Sequence, residues 1–129
     1  RANRARIVAQ RDRLLRELPL IPGVGRLRRG TESNFLLFEM LDAAGRPDNV
    51  TALAVYERLA ETKGVVVRFR GKEHGCTGCL RITVGTEDEV TRLLESLRKQ
   101  LAEVRGDGLA VDGTADEEKK EQEANSVVA

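Results

Sequence analysis

Two short β-branched runs, Val65–Arg68 and Leu80–Val84, flank a glycine-rich polar loop in the stretch GVVVRFRGKEHGCTGCLRITVGT, residues 64–86. The runs are of strand length and punctuated by glycine, so the stretch reads as an antiparallel strand pair with a long connection. Each run carries one arginine. Arg68 closes the first and Arg81 interrupts the second, a costly position for a fixed positive charge unless an anion or a carboxylate meets it. Guanidinium groups on neighbouring strands can converge on one spot, the pattern of a site for an anionic small molecule.

The rest of the chain supplies the elements around this pair. Residues 1–18 have a helical period, with Ala5, Val8, Leu15 and Leu18 near one face, Ile7, Leu14 and Leu18 on an overlapping one, and arginines elsewhere. Pro19 ends it. Pro22, Gly23 and Gly25 predict a turn-rich connection through Gly30. Ser33–Glu39, SNFLLFE, is a dense apolar run expected to form a buried strand. A loop containing Gly45 and Pro47 follows, then a helix over about 50–63 with Leu53, Tyr56, Leu59 and Ala60 as its apolar positions. Asp48 or Asn49 can cap its start, and Gly64 suits the left-handed position after its end. Thr86 and Glu89 form a capping box that opens the last helix, whose apolar face is Val90, Leu93, Leu94, Leu97, Leu101 and Val104.

The fold class that follows is α+β: a three-stranded, mostly antiparallel sheet in the order first–third–second, with helices packed on one face. The β-α-β crossover within it is expected to be right-handed. Residues 1–30 form an N-terminal helix and connection, 31–105 the α+β domain, and 106–129 an acidic segment without a core-forming pattern, expected to be disordered.

Composition narrows the function. Aromatic residues are 3% of the 129 and there is no Trp, which argues against the stacking platforms of single-stranded nucleic-acid binding. A net charge of +1 gives no global field toward nucleic acid or membrane. The arginines concentrated in residues 1–30 read first as a solvated helix face, and a nucleic-acid adaptor is a minor alternative. No apolar run approaches a membrane span and no signal-peptide pattern is present, so a cytosolic or organelle-matrix location is expected. A chain that starts with Arg1 also reads as a processed or truncated piece.

Cys76-Thr77-Gly78-Cys79, with His74 nearby, has the spacing of half a zinc site. A closed structural site needs four ligands, and these are the only Cys and His in the chain. The pair precedes a strand, where no helix macrodipole lowers a thiol pKa, so two reduced thiols are expected and no metal. Neither a nucleophile elbow nor a phosphate-cradling glycine loop is present, so no catalytic residue is assigned. On the residues alone, the domain binds an anion through Arg68 and Arg81. A free-standing metabolite-sensing domain for a phosphorylated or dicarboxylic ligand is one such protein.

The succession IPGV (21–24), ESNFLLF (32–38), GVVVR (64–68) and GCLRITVGT (78–86), followed at once by an acidic helix start, resembles the small C-terminal domain of histidinol-phosphate aminotransferases, fold type I enzymes that use pyridoxal 5'-phosphate. The resemblance covers about residues 1–104 and implies roles for named residues. Arg81 matches the arginine that binds the substrate carboxylate. Arg68 matches the arginine that helps hold the phosphate of histidinol phosphate or the distal carboxylate of glutamate, and Asn34 matches a position near the domain junction. It further implies ping-pong amino transfer between glutamate and imidazole-acetol phosphate in cytoplasmic histidine biosynthesis, by a homodimer. The family's Schiff-base lysine lies in a large upstream domain, and Lys63, Lys72, Lys99, Lys119 and Lys120 do not sit in its motif. The resemblance therefore implies that this chain alone binds pyridoxal phosphate weakly and does not transaminate.

Overall fold

The structure is a computed structural model that describes residues 2–30 and 34–106. Helix α1 (Ala2–Glu17) leads through a single 3-10 turn, Leu18–Leu20, into strand β1 (Val24–Arg29). Strand β2 (Phe35–Met40), helix α2 (Asn49–Leu59), strand β3 (Val67–Phe69), strand β4 (Cys79–Thr83) and helix α3 (Glu87–Arg105) follow. The expected disordered tail and the lysines at 119 and 120 fall outside the described residues.

The sheet has four strands in the order β1-β2-β4-β3, and every pairing is antiparallel. The three expected strands keep their order, with β4 between β2 and β3. Because β2 and β3 both run antiparallel to β4, they are parallel to each other and α2 is the crossover between them. The correction is β1, which replaces the expected turn-rich connection and pairs along the free edge of β2.

Its composition hides it: Gly25 and three arginines look like a loop, and register shifts on both sides of Leu27 break the alternation that marks a strand. What holds β1 is a side chain of β2. Glu39 is 4% exposed, and its carboxylate accepts from the Arg26 backbone N–H at 3.1 Å and the Arg26 guanidinium at 3.2 Å, with Arg28 at 3.6 Å. Gly25 passes so close that a Cβ there would meet Leu41 and Glu39 side-chain atoms within 2.9 Å. The charges along this edge also discourage further strand pairing.

One face of the sheet carries the core. Leu36, Phe38 and Met40 of β2, Leu80 and Ile82 of β4 and Val67 of β3 pack against Leu14 and Leu18, Ala52, Val55 and Leu59, and the buried stripe of α3. The helices thus cover a single face, as expected. Leu14 of α1 and Leu18 of the 3-10 turn are buried with Ile7 alongside, whereas Ala5 and Val8 are exposed. Helix α2 ends at Leu59, earlier than expected, and buries Ala52 and Val55 while Leu53 stays 40% exposed. Of the expected apolar positions Leu59 is buried and Tyr56 packs against the core, whereas Leu53 and Ala60 are exposed, because Ala52 and Val55 take the inward places and only packing chooses between the two stripes. Gly64 does adopt a left-handed φ of 83°, in the turns beyond that earlier end.

Helix α3 follows the expectation closely. Thr86 Oγ1 accepts from the Glu89 N–H while Glu89 Oε1 accepts from the Thr86 N–H, and Gly106 closes the other end at φ 86°. Val90, Leu93, Leu94, Leu97 and Leu101 are buried, with Val104 partly so.

Candidate functional site

Side chains alternate across a strand, so burying Leu80 and Ile82 against the helices turns Cys79, Arg81 and Thr83 to the other face of the sheet. The same rule places Phe35, Leu37 and Glu39 of β2 and Arg68 of β3 on that face. Arg68 and Arg81 are direct register partners. Residues so paired have Cβ atoms about 4.5–5.5 Å apart, and like charges placed there repel.

Neither arginine makes a salt bridge among the described residues. The exposed Arg68 donates from Nη1 to the backbone carbonyl of Val67 at 2.9 Å. Arg81 is half-buried, its Cζ lies over the Phe35 ring at 5.5 Å from the centroid, and its buried Nε has no hydrogen-bond partner. The one buried carboxylate among the described residues, Glu39, is occupied by Arg26 and Arg28 of β1. Two cations therefore share one sheet face with no acid among the described residues between them, an arrangement suited to an oxyanion ligand.

Asn34 lies at the start of β2, exposed, and its backbone carbonyl accepts from the Val84 N–H at 2.8 Å. It is thus at the sheet margin, while Leu37 is the residue of β2 directly opposite Arg81.

The long loop between β3 and β4 is tied down by Asn49, one of the two residues expected to cap α2. Asp48 is the cap, accepting from the Thr51 N–H at 2.8 Å and the Thr51 hydroxyl at 2.7 Å. Those bonds, the hydroxyl first, hold its carboxyl below the ordinary value of 3.8. Asn49 is freed to reach the loop: Oδ1 accepts from the Gly78 N–H at 2.7 Å and Nδ2 donates to the Gly71 carbonyl at 3.1 Å. Gly78 has φ 77°, and a Cβ there would meet the Asp48 nitrogen at 2.7 Å. The loop is thereby pinned immediately before Cys79 and Arg81.

Cys76 and Cys79 are both free and buried, clustered with Leu37 on the arginine-bearing face. Burial, reinforced by Cys76 and Glu39, pushes the Cys79 thiol up to about 12. No group of three His, Cys, Asp or Glu side chains among the described residues could hold a metal ion.

The described lysines, Lys63, Lys72 and Lys99, are all exposed. A lysine that forms a Schiff base needs desolvation or a neighbouring cation to lower its pKa, so none of the three fits that task. No helix among the described residues is long and apolar enough to cross a membrane.

The family model for aminotransferase class I and II matches residues 1–97. A histidinol-phosphate aminotransferase from Candida maltosa is 45% identical over 100 residues, which are 78% of this chain and 26% of that protein. The one from Schizosaccharomyces pombe is 46% identical over 99 residues, 75% and 26% of the respective lengths. An Escherichia coli histidinol-phosphate aminotransferase is 32% identical over 96 residues, 74% and 24%. The chain spans about a quarter of the length of these relatives.

Proposed function

Because the chain belongs to the aminotransferase class I and II family, we propose that it is the anion-binding small domain of a histidinol-phosphate aminotransferase. The full-length enzyme exchanges an amino group between glutamate and imidazole-acetol phosphate in histidine biosynthesis. The observation that carries this reading is the pairing of Arg68 with Arg81 on one sheet face, without an acidic partner for either among the described residues.

In this reading Arg81 receives the α-carboxylate of glutamate. Arg68, more exposed and at the edge of the sheet, receives the phosphate of the imidazole substrate or the distal carboxylate of glutamate. Both ligands are oxyanions that a guanidinium fork can hold by paired hydrogen bonds. Holding glutamate at both ends orients its amine, and the apolar neighbours Phe35 and Leu37 limit water at the Arg81 end. Asn34, at the margin of the same sheet, is assigned to the junction with the rest of the enzyme.

Pyridoxal 5'-phosphate supplies the amino-carrying chemistry in the full-length enzyme. The residues of this domain do not fit it by themselves, since the described lysines are exposed, and no step through it is assigned to them. The reading carries with it a cytoplasmic homodimer. Replacing Arg81 by Ala in the full-length enzyme tests the central role: KM for glutamate should rise by about two orders of magnitude, as for a lost charge-assisted pair. Unchanged affinity for glutamate would remove the carboxylate role.

A further inference from the structure

Among the described residues Arg81 has no acid to hold it, yet its guanidinium must be presented at a defined place if it is to meet a ligand. What touches it is an aromatic ring. Phe35 pairs with Thr83, one step along from the Leu37–Arg81 pair, so its ring is the diagonal neighbour of Arg81 on the same face. The Arg81 Cζ lies over that ring at 5.5 Å from the centroid, within the range of a cation–π contact. Leu37, 4% exposed, stands directly opposite Arg81 and leaves little room for the side chain to swing across β2.

We propose that Phe35 is a positioning residue that sets the orientation of the Arg81 guanidinium for oxyanion binding. The inference rests on the carboxylate role proposed for Arg81. A ring suits this task better than a carboxylate would, because it attracts the cation without occupying the hydrogen-bond donors that the ligand needs. Among the described residues the buried Nε has no hydrogen-bond partner, so the ring holds the cation without taking up that donor.

The test uses the full-length enzyme with Phe35→Leu and Phe35→Tyr, each alone and combined with Arg81→Ala. Phe35→Met serves as a second ring-free variant if Phe35→Leu does not accumulate. Loss of the ring should raise KM for L-glutamate about three- to fivefold with little change in kcat, and the Tyr variant should match the parent. In the Arg81→Ala background, Phe35→Leu should add nothing. An equal effect of Phe35→Leu with and without Arg81 would mark general packing and overturn the inference. So would an unchanged KM for Phe35→Leu when Arg81→Ala alone weakens glutamate. If Arg81→Ala itself leaves glutamate affinity intact, the carboxylate role fails first and the assignment of Phe35 goes with it.

Discussion

Asn49 and Gly78 are 29 residues apart, yet the Asn49 side-chain oxygen accepts the Gly78 N–H at 2.7 Å while the same amide donates to Gly71. One side chain at the start of α2 thus spans the β3–β4 loop. It also delivers the chain into β4 with Arg81 in register with Arg68.

Asn49→Ala should destabilise the domain by about 1–3 kcal/mol, since it leaves loop backbone groups without partners. Asn49→Asp should be at least as damaging, because a carboxylate still accepts from Gly78 but repels the Gly71 carbonyl. Denaturant titration of the variants checks both, and an Asn49→Asp protein as stable as the parent would show that the Gly71 bond is dispensable.

The Arg68 and Arg81 charges oppose each other in the unliganded domain. Arg68→Gln should therefore leave stability unchanged or raise it slightly, by less than about 1 kcal/mol, while weakening the phosphate-bearing substrate more than Arg81→Gln does. Thermal melts and KM values for both substrates in the full-length enzyme measure the two effects. Weakening of the phosphate-bearing substrate by Arg81→Gln as strong as that by Arg68→Gln would count against separate roles for the arginines.

Asp48 gives a pH-dependent prediction with a definite sign. Its carboxyl is held below the ordinary 3.8 in the folded protein, so its stabilisation is present above pH 3.8 and lost as the pH falls through the lower folded value. Asp48→Ala should cost about 1 kcal/mol near neutral pH, and the gap from the parent should close in acid. Asp48→Asn should keep most of the cap and show no such closing. A gap of constant size down to the acid limit would mean that the carboxylate is not the capping species.

With the Cys79 thiol pushed up to about 12, thiolate is scarce at neutral pH, and the thiolate is the nucleophile. In the folded protein at pH 8, iodoacetamide should label Cys79 far more slowly than in urea. A thiol raised above 9.0 on folding contributes stability that is present below pH 9 and lost as the pH climbs toward 12. The stability difference between parent and Cys79→Ala should therefore narrow over that interval. Native labelling as fast as in urea would contradict the burial of this thiol.

Several features were legible in the chain because they are local. The capping box of Thr86 and Glu89, the leucine stripe of α3 and the β-branched runs depend on residues within a few positions of one another, where period and cap chemistry decide the outcome. The arginine pair was legible for a related reason: each guanidinium sits in a strand-forming run, where a charge is conspicuous. β1 was not, because its pairing depends on Glu39 of another strand. The stripe chosen by α2 was only half legible: Leu59 and Tyr56 face the core as expected, but the packing of Ala52 and Val55 turned Leu53 outward.

The amino-acid order by itself determined which segments are helix or strand in most of this domain, and that two arginines would lie on neighbouring strands. Three-dimensional packing decided the fourth strand, the loop clasp by Asn49 and the ring beneath Arg81. Each of these is a contact between residues far apart along the chain or on different strands. Its energy exists only after the sheet has closed, so no local pattern could announce it.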